Sequence, residues 1–291
     1  MDHLNPESQK KALLSDAERI SFIRERIWIP YAKANEIIDL FTDYLDYPKN
    51  NKMPNYVLIG QANNGKTELL LEFAERYKPK NVPGLGRQLD VAYICAPPAA
   101  EETRLYNEIL IRFNAAFSIN DNVANKLDLV EKIISEIGLK MLIIDEIHNV
   151  IASSYQKQRK FLMTLKTLAN KLKIIIICAG NSDAQTVMTA DDQITTRFEE
   201  ILLPSWKENP KEFAILFKNF TQVLPLREPT NYKDKDLLAY LFDMGEGLLG
   251  EYAKILRRAA EHAIKTKTEK ITIDILKAIR YQKPSSRSGK F

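Results

Sequence analysis

Eight consecutive residues, Gly60-Gln61-Ala62-Asn63-Asn64-Gly65-Lys66-Thr67, match the pattern G-x-x-x-x-G-K-[ST] without a departure. Glycines let a backbone wrap closely enough to aim its N–H groups at phosphate oxygens. A helix N-terminus behind the loop adds partial positive charge. In that arrangement Lys66 reaches the β- and γ-phosphates of ATP and the Thr67 hydroxyl ligates Mg²⁺. The eight loop residues, with Glu68 beside them, are the candidate nucleotide contacts. The alternative is a glycine-bearing turn that holds no nucleotide.

Downstream, Met141-Leu142-Ile143-Ile144-Asp145-Glu146 is four apolar residues ending in two carboxylates. That order sets both acids at the C-terminal edge of a strand, where open α/β sheets bind ligands. Asp145 there serves Mg²⁺ with Thr67, and Glu146 orients or deprotonates the attacking water. Asn181 ends the next apolar run and either contacts the γ-phosphate or lytic water or simply forms a turn. Arg197, in Thr195-Thr196-Arg197-Phe198, is either an arginine finger for a neighbouring subunit's ATP or an ion-pair partner of Glu199 or Glu200. Around Trp28, Ile29 and Tyr31 the apolar surface either covers adenine or belongs to the core; Ile29 and Tyr31 are kept as nucleotide candidates.

The elements that must carry these residues follow from periodicity and punctuation. Apolar residues between Ala17 and Leu45 recur at helical spacing and break at Pro30, predicting two helices. Tyr56–Ile59 predicts a strand feeding the glycine loop and a helix over Lys66–Tyr77. Pro79–Gln88 reads as a loop, Val91–Ala96 as a strand, and Thr103–Phe117 and Leu127–Ile137 as helices. Met141–Ile144 predicts a central strand, followed by a helix over Gln158–Asn170 and strands at Ile174–Ala179 and Ile201–Leu203. Strands alternating with helices imply a parallel sheet covered on both faces. From 209 onward the pattern is helical only, near 210–222, 234–243, 249–265 and 272–280. The expected organisation is a helical preface over 1–50, a P-loop α/β core over 51–207, a helical lid over 208–281 and a basic tail over 282–291.

The 291 residues are 45% hydrophobic and 27% charged, an ordinary globular balance without internal repeats or low-complexity bias. A net charge of +4 permits DNA as a partner without arguing for it. Locally, Lys277, Arg280, Lys283, Arg287 and Lys290 occur with no acidic residue after Asp274. No apolar run approaches bilayer length and the start is polar, so a cytoplasmic protein without membrane contact is expected. Cys95 and Cys178 both fall in runs that read as buried strands, which predicts neither a disulfide nor a metal site.

Taken together, Met53-Pro54-Asn55-Tyr56-Val57-Leu58-Ile59-Gly60, Asn63-Asn64-Gly65-Lys66-Thr67, Asp145-Glu146-Ile147-His148-Asn149, Ala179-Gly180-Asn181 and Thr196-Arg197-Phe198 to Pro204-Ser205-Trp206 resemble the TniB/TnsC AAA+ ATPases of DNA transposons. The resemblance covers about residues 20–265. It implies an AAA+ P-loop NTPase fold and an ATP-dependent regulator that forms rings or filaments on double-stranded DNA. It also implies coupling of target selection to a DDE transposase of the TniA/TnsB kind, an adaptor of the TniQ kind, and disassembly on hydrolysis; some relatives serve CRISPR-associated transposons. Asn181 then maps onto the first sensor and Arg197 onto a finger acting in trans. Relatives usually carry Gly-Thr where this chain has Gly180-Asn181. Gly247-Leu248-Leu249-Gly250 lacks the arginine of a G-x-x-R second sensor, for which Lys254, Arg257 or Arg258 could substitute. The DNA-facing region of relatives includes here Arg104, Asn120 and Lys126, whose contacts would be phosphate contacts. A helicase loader of the DnaC/IstB kind has a similar core and is the competing reading.

Overall fold

The computed structural model describes residues 1–188, 196–206 and 210–287. Two compact units emerge: residues 1–35, 63–65 and 205–291 form one, and residues 36–62 and 66–204 the other. Thr195, Lys290 and the 207–208 end of the expected core–lid boundary lie outside the described residues.

The second unit is built on a five-stranded sheet. Its strands are β1 (Asn55–Gly60), β4 (Val91–Cys95), β5 (Met141–Asp145), β6 (Ile175–Gly180) and β7 (Phe198–Leu203), in the order β4-β5-β6-β1-β7. Every pairing is parallel. Residues of β1, β5 and β6 are buried throughout, which is why these strands read as unbroken apolar runs. The core formed by Val57, Leu142, Ile144 and Ile176 with Leu105, Ile109, Leu162 and Leu165 is continuous. Around the sheet run α4 (Lys66–Arg76), α5 (Glu102–Arg112), α6 (Val123–Glu136), α7 (Tyr155–Leu172) and α8 (Ser182–Met188), with a 3₁₀ turn over Ile147–Ala152.

Several expected boundaries move for identifiable reasons. The expected loop over Pro79–Gln88 contains an antiparallel hairpin, β2 (Lys80–Val82) with β3 (Gly86–Gln88). Its turn uses Gly84 and Gly86 at φ 79° and 75°, a conformation other residues adopt at a cost. Helix α5 stops five residues before Phe117, because Asn114 turns left-handed at φ 54° and the Ala115 N–H bonds back to Leu110. Helix α6 starts four residues early, since the Asn122 side chain caps the Asn125 N–H at 2.8 Å. Cys178 is buried as expected, but Cys95 is exposed, because it is the last residue of β4 where the strand leaves the sheet.

The first unit is helical. It contains α1 (Pro6–Ala12), α2 (Asp16–Arg24), α9 (Pro210–Val223), α10 (Lys235–Gly245), α11 (Leu249–Lys265), α12 (Ile273–Ala278) and the short α13 (Pro284–Arg287). Helix α3 (Ala32–Leu45) begins in this unit and its residues from Glu36 cluster with the other. The polar start conceals α1, which is opened by an Asn5 cap with proline in its first turn and fastened to α9 by the Ser8 hydroxyl donating to the Val223 carbonyl at 2.7 Å. Fully buried Arg19 of α2 forks onto Glu269 through two bonds of 2.7 Å and also reaches Asp16 and the Pro225 carbonyl. Removing one partner of such a buried pair typically costs ~3–5 kcal/mol. Among the described residues no helix is long and apolar enough to cross a membrane.

Candidate nucleotide site

Parallel strands share one C-terminal edge, and the register fixes what stands on it. Cys95 pairs with Asp145, Ile144 with Cys178, Ile59 with Gly180 and Gly60 with Leu203. Asp145, Glu146, Asn181 and the Gly60–Thr67 loop therefore leave the sheet on the same side. A Cβ on Gly60 would meet the Leu203 carbonyl at 3.0 Å, so glycine lets β7 lie close where the chain turns into the loop. Asn63 and Gly65 then take positive φ values of 60° and 87°. Alternation of this kind turns successive N–H groups inward into an anion-binding nest.

Lys66 opens α4 and is buried, its ammonium donating to the carbonyls of Gly60 at 2.8 Å and Gln61 at 2.9 Å. Burial pushes its pKa down, while Asp145 and Glu146 pull it up. Thr67 donates its hydroxyl to Asp145 Oδ2 at 2.6 Å, so the two expected magnesium ligands, 78 residues apart, are adjacent. Asp145 is fully buried and also accepts from the Tyr93 hydroxyl at 3.0 Å and from the Glu146 N–H at 2.8 Å. Burial, reinforced by Asp145, raises the Tyr93 phenol and keeps it a donor. Among the described residues no cluster of three or more His, Cys, Asp or Glu is arranged to hold a metal. A hydroxyl and a carboxylate held side by side suit Mg²⁺, which keeps several waters and takes phosphate oxygens for the rest.

Glu146 adopts a left-handed backbone at φ 58°, uncommon for a residue with a side chain. Its carboxylate lies 3.0 Å from His148 Nε2. The other imidazole nitrogen, Nδ1, is buried without a hydrogen-bond partner among the described residues and would stand 3.2 Å from a Cβ on Gly180. Glycine at 180 thus makes room first for Ala184, which a Cβ would approach to 2.6 Å, and then for the imidazole that holds Glu146. The sequence pattern assigns no role to His148 or to Tyr93. The signal they offer is nearness to the C-terminal strand edge: Tyr93 lies two residues before the end of β4 and His148 three residues after Asp145.

Other expected residues are placed differently. Asn181 uses its carboxamide locally: Oδ1 accepts the Asp183 N–H at 2.9 Å, and the turn opens α8. Arg197 precedes β7 at the opposite, N-terminal edge of the sheet, where Phe198 pairs with Asn55. At ~3.3 Å per residue the strand separates it from its own chain's loop by roughly 20 Å. Arg197 is half-buried, and no ion pair joins it to Glu199 or Glu200 among the described residues; Glu200 instead accepts from Gln185. In the first unit, Ile29 and Tyr31 are buried. Tyr31 packs edge-on against Trp206 with centroids 5.2 Å apart, and its hydroxyl is buried without a partner among the described residues. Burial raises that phenol's pKa.

Arg104 is exposed on α5 and paired with Glu101 at 2.7 Å, and Asn120 is exposed before α6. Lys126 is placed differently from Arg104 and Asn120. It is buried to 1% exposure, its ammonium donating to the Ile119 carbonyl at 2.8 Å and lying 5.6 Å from the Phe117 ring centre.

At Gly247-Leu248-Leu249-Gly250, Gly250 donates its N–H to the Asn63 carbonyl at 2.9 Å, and a Cβ on Gly250 would run into Asn63 Oδ1. An arginine in that position would collide with the loop. Lys254 and Arg258 instead line a cavity of about 460 Å³ with Arg280, Tyr281, Gln282 and Arg287.

The strand order, the loop and the paired acids define an AAA+ P-loop ATPase fold, and solved structures agree. The Aeropyrum pernix ORC2 protein in ADPNP-ADP complexes matches with a TM-score of 0.64 at 16% identity, over 88% of this chain and 69% of that one. Aeropyrum pernix ORC1 in complex with DNA gives 0.61 at 14%, over 91% and 70%. The Thermotoga maritima RuvB Holliday junction branch migration motor gives 0.53 at 12%, over 88% and 71%. No curated protein matches the chain. The family described as Bacterial TniB protein matches residues 19–208, and the chain belongs to it.

Proposed function

We propose that this TniB-family protein is an ATPase that assembles on double-stranded DNA as a homo-oligomer and regulates transposition, coupling target choice to a DDE transposase and disassembling as ATP is hydrolysed. The observation that carries the catalytic half is the hydrogen bond from Thr67 to Asp145, with Glu146 held beside them by His148. The loop's N–H groups and Lys66 bind the triphosphate, and Ile29 and Tyr31 are candidates for the base. Thr67 and Asp145 would hold Mg²⁺, which supplies charge neutralisation to the phosphates when bound. Glu146 orients the lytic water and accepts its proton, with His148 fixing the carboxylate. Asn181 stands at the adjacent strand end as a sensor candidate. Arg197, far from its own loop, serves the ATP of a neighbouring subunit. Family membership and a fold shared with a DNA-bound ORC1 support the DNA half; Arg104 and Asn120 are the contacts proposed.

The test is electron microscopy of the protein with duplex DNA in ATP analogue, ADP or no nucleotide, beside Lys66→Ala. Rings or filaments on DNA only with the analogue, and lost in the variant, are expected. A protein that hydrolyses ATP but stays off DNA, and binds a replicative helicase instead, would turn the assignment to a loader of the DnaC/IstB kind.

A further inference from the structure

The apex of the phosphate loop is tied to the chain's C-terminal segment through one buried carboxylate. Asn63, at the left-handed corner of the loop, donates its Nδ2 to Glu251 Oε1 at 3.0 Å while its carbonyl takes the Gly250 N–H. Gly65 completes the fit, since a Cβ there would stand 2.6 Å from Leu249. Glu251, in the first turn of α11, is only 5% exposed. A carboxylate so placed beside a loop built for triphosphate opposes the ligand unless its charge is cancelled.

The cancellation comes from the far end of the chain. Arg287 forks onto both Glu251 oxygens at 2.8 and 2.7 Å, and the Tyr281 hydroxyl donates to Oε2 at 2.6 Å. The Arg287 guanidinium also lies over the Tyr281 ring, 5.4 Å from its centre. With four hydrogen bonds on it, this carboxylate satisfies its burial and stays ionised; among the described residues the bidentate arginine is the hydrogen-bonded cation that neutralises it, with Lys254 adding a weaker attraction.

We propose that Glu251 and Arg287 act as a pair of positioning residues for nucleotide binding. Glu251 sets the Asn63 corner of the phosphate loop, and Arg287 shields the nucleotide from Glu251. The second-sensor arginine missing at Gly250 is thus replaced by a salt bridge whose cation arrives from the C-terminal segment. Segment 281–287 thereby acts on the phosphate loop through residues 63–65, and anything that draws Arg287 away loosens the nucleotide. This rests on the loop being an ATP site.

The experiment measures fluorescent ATP-analogue affinity of the full chain for wild type, R287A, E251Q/R287A and K66A, each at low and moderate salt, with circular dichroism confirming folding. R287A is expected to bind about tenfold or more weakly at low salt, with the defect narrowing as salt screens the exposed charge. E251Q/R287A should recover most of the loss, because glutamine still accepts from Asn63 and carries no charge. Loss of packing alone would predict the opposite, a double variant at least as weak as R287A, and that result overturns the proposal, as does an R287A affinity equal to wild type. Should R287A fail to fold, R287K, which keeps the charge but loses the fork, must show a smaller, salt-sensitive defect, and wild-type affinity in R287K then overturns it. If wild type and K66A alike fail to bind, the ATP reading itself falls.

Discussion

Glu146 and His148 show how a few atoms assign roles that residue type leaves open. Asp145 is enclosed by three donors and is suited to holding charge in place, whereas Glu146, one residue later, sits at φ 58° with its carboxylate turned to an imidazole. A non-glycine residue held in a sparsely populated region at a strand edge is a strain that the surroundings must enforce, and such residues cluster at functional sites. Glu146→Gln is expected to cut hydrolysis by ~10²-fold or more while the protein still binds nucleotide. His148→Ala should cut kcat by about tenfold with nucleotide affinity unchanged, since it only orients the base. Phosphate release and analogue affinity, measured on both variants, check the split. An affinity loss in His148→Ala would reassign the histidine to the loop's architecture.

At the scale of elements, the start of α11 carries a titrating group whose effect on stability can be timed. The Arg287 guanidinium, aided by the Tyr281 hydroxyl, holds the Glu251 carboxyl at about 2 against an ordinary 4.5. A folded-state pKa below the unfolded one stabilises the fold above pH 4.5, and that contribution is lost as pH falls from about 4.5 through about 2. Its upper size is roughly 3 kcal/mol at neutral pH. Denaturant melts of wild type and E251Q between pH 7 and 3 should therefore converge toward the acid end; a gap that stays constant would mean the carboxylate is not ionised by its partners. The elements that eluded sequence reading fail for related local reasons. Helix α1 lies in a polar stretch, and α8 and the 3₁₀ turn are too short to show a period. The β2–β3 hairpin is made of three-residue strands lacking an apolar face.

For the molecule as a whole, a residue about 20 Å of strand away from its own loop acts on ATP only if copies of the chain assemble head to tail. Arg197→Ala alone is expected to hydrolyse ATP at less than about a tenth of the wild-type rate on DNA. Mixed with Glu146→Gln subunits it should regain activity, because an intact catalytic glutamate in one subunit then meets an intact arginine in the next. Activity that stays at the sum of the separate variants would place Arg197 outside the site. The sequence by itself determined the phosphate loop, the acid pair, the alternation of strands and helices and the family, because each is written in contiguous residues or a short period. Tertiary structure alone decided that Tyr93 braces Asp145, that His148 holds Glu146, that Arg287 and Asn63 both reach Glu251, and that Lys126 is buried. Those are contacts whose partners depend on where helices and strands end and pack, and a charged residue type reads alike whether it lies on the surface or is enclosed.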